Sequence, residues 1–135
     1  MKKEDRLKVM IVGTGYVGLT TGLCLAYLGH EVTCVDKNEE IITRLKKGEA
    51  TIYEPGVEEL LKECEGRIDF NVGLNENINS HEVIIIAVGT PSKDNGDTDL
   101  TYVEDVAREI GSFLQEKSSP VIVNKSTVPV GSARR

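Results

Sequence analysis

The 135-residue sequence has no tryptophan and only 4% aromatic residues, so its core must be packed mainly from Val, Ile, Leu and Ala. It also lacks a long apolar run. None approaches the roughly 20 residues that cross a bilayer, which argues against membrane insertion. There is no basic stripe, and a net charge of −6 disfavours a nucleic-acid or membrane surface. The three cysteines, Cys24, Cys34 and Cys64, show no CxxC or metal-ligand spacing. An odd, scattered set reads as core or near-core thiols in a reducing compartment, and so as a cytoplasmic protein. His30 and His81 stand apart from any cysteine or carboxylate pair; a turn or surface role is expected for both, and no metal site. The charged start, residues 1–6, runs straight into a strand-like segment and does not read as a signal peptide.

What is present suits one soluble globular domain: 39% hydrophobic and 28% charged residues, with no repeat, linker or low-complexity stretch. Residues 7–12 (LKVMIV) form a short apolar run expected to be a buried strand. A helix should follow over about 16–28, with Leu19, Leu23, Ala26 and Tyr27 on one face and Gly29 as its stop. Residues 31–36 (EVTCVD) read as a second strand. Asn38 should cap a second helix that turns Ile41, Ile42 and Leu45 inward and closes at Gly48. A loop over 49–56 leads to a short helix bearing Val57, Leu60 and Leu61. Residues 68–72 alternate and should be a third strand. Residues 83–88 (VIIIAV) suit only a central strand covered on both faces. Thr101 and Glu104 predict a capping box for a helix bearing Val103, Val106, Ala107, Ile110 and Leu114. Residues 120–124 read as a fifth strand.

Strands alternating with helices predict a doubly wound α/β parallel sheet of the Rossmann type. Right-handed crossovers give the order 3-2-1-4-5. A sixth strand would be expected next, so the chain reads as one domain over 1–135, truncated before that strand. An incomplete sheet would leave an exposed edge that could pair between chains.

The strongest local motif is GxGxxG at 13–18, and its context raises its weight. A strand precedes it, a helix follows it, and Asp36 ends the next strand 18 residues after Gly18. Gly13 permits the tight turn, Gly15 lets a pyrophosphate approach the backbone, and Gly18 lets the helix pack close to the strand. The free N–H groups of the helix start then face the phosphates, from Thr14, Tyr16 and Val17 outward. Asp36 can accept from a ribose 2′-hydroxyl and repel a 2′-phosphate, which favours NAD over NADP; the adjacent Lys37 weakens that preference a little. The competing readings are a plain tight turn in a flavodoxin-like or regulatory domain, or an FAD site.

Two further segments fall at carboxyl ends of expected strands: Val88, Gly89, Thr90 and Pro91 after the fourth, and Ser126 and Thr127 after the fifth. Ligands of open α/β sheets bind there, so three separate segments should converge on one crevice. Spacing alone admits equally that these are turn residues and caps. The 94–99 stretch (DNGDTD) resembles a calcium loop only faintly, because Gly96 stands where a ligand is needed.

Four blocks together resemble the UDP-glucose/GDP-mannose dehydrogenase family: GTGYVGL at 13–19, GEATIYEPGVEELL at 48–61, VGTPS at 88–92 and KSTVPVG at 125–131. The likeness covers nearly the whole chain. The first block is common to many dehydrogenases, IYEPG and KSTVPVG are far more specific, and IYEPG leans toward UDP-glucose. The resemblance implies an NAD-dependent double oxidation, in which a sugar hydroxymethyl group becomes a carboxylate by two hydride transfers through a cysteine-bound intermediate. It implies that residues 13–18 hold the pyrophosphate and Asp36 the adenosine ribose. Val88, Thr90 and Ser92 would line the cofactor site. Thr127 would sit near the nicotinamide ribose and help to position catalytic water, and the 53–56 loop would lie near the pocket. Ile41 stands where some members carry Lys or Arg, which shifts weight to Lys37 or Arg44. None of Cys24, Cys34 and Cys64 lies in the motif of the family's nucleophilic cysteine. That cysteine, its lysine and asparagine helpers and the nucleotide-sugar domain belong downstream, so this chain alone should bind NAD without oxidising a sugar. A homo-oligomer is implied for the full-length protein. The rivals are a non-catalytic NAD-sensing module, which would not need VGTP or KSTVPVG, and a β-hydroxyacid dehydrogenase, which would usually carry a basic residue at Asp36. A methyltransferase or flavoprotein is more distant.

Overall fold

A computed structural model of the chain describes residues 2–90, 93–96 and 99–126. The strands are β1 (Lys8–Val12), β2 (Glu31–Asp36), β3 (Ile68–Val72), β4 (Val83–Ile86) and β5 (Val121–Asn124). The helices are α1 (Tyr16–Tyr27), α2 (Glu39–Lys46), α3 (Val57–Glu63) and α4 (Thr101–Phe113). All four strand pairings are parallel, and the sheet order is β3-β2-β1-β4-β5. The expected Rossmann topology is the one observed.

Side-chain alternation divides the core into two. Val9 and Ile11 of β1, Val32 and Cys34 of β2 and Ile85 of β4 face α1, α2 and α3. Met10, Val12, Val35, Ile84 and Ile86 point the other way, toward Val106 and Ile110 of α4 and Ile78 of a 3₁₀ segment, Glu76–Ser80. Strands covered on both faces need continuous apolar runs, which is why β1 and β4 carry them.

Local chemistry sets the helix limits. Asn38 accepts the Ile41 N–H and caps α2 as expected. The cap of α4 differs from expectation. Asp99 Oδ1 accepts both the backbone N–H and the hydroxyl of Thr101, so Thr101 is the first helical residue and not the cap. Those two bonds hold the Asp99 carboxyl below its usual range. On α1 the buried stripe is Gly18, Leu19, Gly22, Leu23 and Ala26, and Tyr27 is exposed. A Cβ at Gly22 would stand 2.8 Å from Cys34 Sγ, so the helix sits too close to the sheet for any larger residue there. That close seam turns Tyr27 outward. On α4 the inward residues are Val106 and Ile110, while Ala107 and Leu114 are exposed. β5 lies at the sheet edge, and its four residues are exposed on both faces.

Candidate functional site

β1 is flanked by β2 and β4, and the helices that follow β1 and β4 pack on opposite faces of the sheet. The chain must therefore diverge beyond the carboxyl ends of these two neighbours. Ladder contacts run to the last residue: Ala87 N donates to Val12 O at 2.8 Å, and Gly13 N donates to Val35 O at 2.8 Å. Beyond them residues 13–15 turn toward α1 and residues 87–89 turn away, opening a crevice of about 250 Å³.

The glycines of the loop have different reasons to be glycine. Gly13 has φ +108°, and an added Cβ would stand 2.5 Å from Ala87 O. At Gly18 an added Cβ would collide with Gly13 O at 1.9 Å. Both positions are fixed by the backbone packed against them. Gly15 differs: its backbone is extended, and an added Cβ would meet no protein atom within 4 Å. That space lies in the crevice wall. Gly15 gives α1 no side-chain cap, and among the described residues no partner takes up its first-turn N–H groups, which carry the positive end of the helix dipole to the crevice edge.

Across the crevice, Asp36 ends β2. Its Oδ2 accepts from the Thr14 backbone at 3.0 Å and the Thr14 hydroxyl at 2.7 Å, and its Oδ1 accepts from Asn38 N at 2.9 Å. Both Thr14 donors are thus committed within the protein, and an acceptor site remains on Oδ1. Lys37 Nζ lies 3.6 Å from Glu109 Oε1 on α4, in an exposed ion pair at the mouth. The far wall is Gly73, Leu74 and the 102, 106, 109 face of α4.

Of the residues singled out from sequence, Gly13, Thr14, Gly15, Asp36, Lys37, Val88 and Gly89 line the crevice. Tyr16 and Val17 are exposed on α1 beside it, and Gly18 is buried behind it. Thr90 is half-buried and outside the lining. Ser126 supports the wall from behind: its hydroxyl donates to Val88 O at 2.8 Å. Pro91, Ser92 and Thr127 lie outside the described residues. Tyr53, Glu54, Pro55 and Gly56 line a separate shallow surface. Tyr102 and Glu109 were missed from sequence; their signal was the helix after the fourth strand, whose inward face must border a switch point. None of the three cysteines lines the crevice. Among the described residues there is no group of three His, Cys, Asp or Glu placed to hold a metal ion, and no helix long and apolar enough to cross a membrane.

The fold, the glycine cradle and the carboxylate at the end of β2 define a Rossmann dinucleotide-binding domain. Comparison with known proteins makes this particular. Residues 7–135 match the family model described as UDP-glucose/GDP-mannose dehydrogenase family, NAD binding domain. The chain belongs to that family, as its NAD-binding domain. It is 43% identical over 131 residues to a UDP-glucose 6-dehydrogenase of Pseudomonas aeruginosa, covering 96% of this chain and 28% of that protein. Among solved structures, a UDP-glucose dehydrogenase from the hyperthermophilic archaeon Pyrobaculum islandicum is 38% identical with TM-score 0.90, over 98% of this chain and 31% of that one. A GDP-mannose dehydrogenase from Pseudomonas aeruginosa, solved as a ternary complex, is 41% identical with TM-score 0.89, over 94% and 30%. The chain spans less than a third of the length of the curated relatives it matches.

Proposed function

We propose that this chain holds NAD in the crevice between β1 and β4, as the cofactor half of an enzyme that oxidises UDP-glucose to UDP-glucuronate. The observation that carries the reading is the open cradle at Gly15, set between the uncapped start of α1 and the Asp36 carboxylate. A dinucleotide needs those three features together: close backbone approach and N–H donors for the pyrophosphate, and an acceptor for the adenosine ribose. The crevice volume of about 250 Å³, just below the ~300–1,000 Å³ usual for whole ligand sites, suits the adenosine half. Leu74, Tyr102 and Val106 give that half an apolar wall.

NAD supplies a hydride acceptor when bound. This chain's residues bind and orient it. The first-turn N–H groups of α1 face the pyrophosphate, Asp36 takes the ribose hydroxyl, and Val88 and Gly89 form the wall toward the nicotinamide side. The resemblance of the VGTPS and KSTVPVG blocks assigns Thr90, Pro91, Ser126 and Thr127 to the same nicotinamide side, with orientation of water as the role proposed for Thr127. The residues that attack and bind the sugar belong to the parts of the relatives that this chain does not span. UDP-glucose is favoured by the IYEPG block and by the names of the curated relatives. The parent protein is proposed to be a cytoplasmic homo-oligomer.

The test is calorimetric titration of the chain with NAD and with NADP, using Asp36→Ala as control. NAD binding that weakens about tenfold or more in the variant, with little NADP binding, is the expected result. Absence of NAD binding at millimolar concentration would overturn the reading.

A further inference from the structure

We propose that Thr14 is a positioning residue that sets the cofactor preference by fixing the Asp36 carboxylate; this rests on the crevice being an NAD site. Thr14 is 2% exposed, the one buried polar residue among those described, although it sits in a loop at the mouth of a crevice. The GxGxxG pattern leaves its second position free, so the turn itself does not demand threonine. What threonine adds is a hydroxyl that donates to Asp36 Oδ2 at 2.7 Å, beside the Thr14 backbone N–H at 3.0 Å on the same oxygen. Asn38 N holds the other oxygen at 2.9 Å.

The consequence follows from counting acceptor sites. A carboxylate oxygen accepts about two hydrogen bonds in its plane. Thr14 fills Oδ2, and Asn38 takes one site on Oδ1. One directed acceptor remains, and the carboxylate plane is fixed. Without the hydroxyl, the Thr14 and Asn38 backbone N–H groups still hold one oxygen each, but the shortest of the three bonds is gone and the carboxylate turns more widely about its terminal torsion, which is intrinsically soft. A fixed carboxylate presents one constant acceptor to a ribose 2′-hydroxyl and a constant negative charge to a 2′-phosphate. A turning one does both less well. Loss of the hydroxyl should therefore weaken NAD binding and relax the exclusion of NADP together.

The measurement is calorimetric titration of NAD and NADP into wild type, Thr14→Val, Thr14→Ser and Asp36→Ala, with thermal melting of each. Thr14→Val should lower NAD affinity by less than the about tenfold expected of Asp36→Ala, which removes the ribose acceptor itself, and should narrow the NAD:NADP ratio. Thr14→Ser keeps the hydroxyl and should restore both. In the Asp36→Ala background, Thr14→Val should change the ratio no further, because the two residues act as a unit. A wild-type ratio in Thr14→Val would overturn the proposal, whatever its melting temperature. So would a ratio that narrows equally with and without Asp36. If Thr14→Val fails to fold, Thr14→Ala carries the same comparison. Failure of the wild type to bind NAD would sink the reading of the crevice and this proposal with it; the former outcomes sink this proposal alone.

Discussion

Gly15→Ala and Gly18→Ala make the same chemical change three residues apart in one loop, and the structure gives them opposite consequences. At Gly15 the backbone has φ −72° and ψ −166°, which alanine adopts without strain, and the new methyl meets no protein atom within 4 Å. Folding stability should stay within about 0.5 kcal/mol of wild type, with a small gain possible from the stiffer unfolded chain. The methyl occupies the space through which a pyrophosphate must reach the α1 N–H groups. Losing one such charge-assisted bond costs about 1.5–3 kcal/mol, or roughly ten- to a hundredfold in NAD affinity. At Gly18 the methyl would lie 1.9 Å from Gly13 O. A carbonyl fixed in the turn cannot swing aside as a flexible side chain would, so α1 must lift from β1. Overpacking of this kind costs about 1–3 kcal/mol, and a backbone clash belongs at or above the upper figure. Chemical denaturation and calorimetric titration of both variants separate the two effects. A Gly15→Ala protein that binds NAD like wild type would refute the cradle. An unchanged unfolding midpoint in Gly18→Ala would refute the packing argument.

Three further expectations rest on single contacts. Asn38→Ala removes the bond that caps α2 and should cost about 1 kcal/mol, lowering the melting temperature by roughly 3–4 °C. Of the three thiols only Cys24 is exposed, so a thiol reagent should modify one cysteine in the native chain at pH 8 and three in denaturant. Burial pushes the Cys34 thiol from 9.0 up to about 12. A raised pKa means that the folded state keeps its proton longer than the unfolded state. Stability from this group is therefore full below pH 9 and lost as pH rises toward 12, as alkaline melting would show. Glu109→Gln releases Lys37 from an exposed ion pair that contributes under about 1 kcal/mol. Stability should barely change, while the freed ammonium beside the ribose site should raise NADP affinity about threefold; no change would separate Lys37 from cofactor choice.

The strands were legible because each is short, apolar and bounded by turn residues, and β2 and β3 run over the expected residues. Expected β4 ran two residues too far. Ala87 and Val88 keep the apolar character of the strand, but the chain has already diverged there to line the crevice. The 3₁₀ segment Glu76–Ser80 had no periodic signal; Asn75, which accepts the Asn77 N–H, was its one local mark. Sequence could place Gly13, Gly15 and Asp36 in one crevice because the phosphate motif is contiguous and its carboxylate lies at a set spacing. It could not show that Asp36 is already bonded to Thr14 and Asn38, since that depends on a side-chain direction across two strands. The helix after the fourth strand was a signal that α4 borders the crevice, but which of its residues reach the lining, Tyr102 and Glu109 among them, depends on the packing angle of α4.

The charges around the crevice decide what kind of force can hold an anionic cofactor. Its described lining carries Asp36, Lys37 and Glu109 and no other charged side chain, and Lys37 is already paired with Glu109. The lining therefore has a formal charge of −1, on a chain of net charge −6. Among the described residues, then, no unpaired side-chain cation lines the crevice to draw pyrophosphate there. The attraction must come from oriented backbone N–H groups at the start of α1, which act at contact range. A site built on lysines or arginines loses affinity steeply as salt screens it; this one sets a short-range attraction against a longer-range repulsion, and salt weakens the repulsion more. NAD affinity should accordingly hold steady or rise slightly between about 50 mM and about 500 mM sodium chloride, where the Debye length falls to a few ångströms. Calorimetric titration across that range is the check. A tenfold loss of affinity would show that cations, and not the helix start, bind the phosphates.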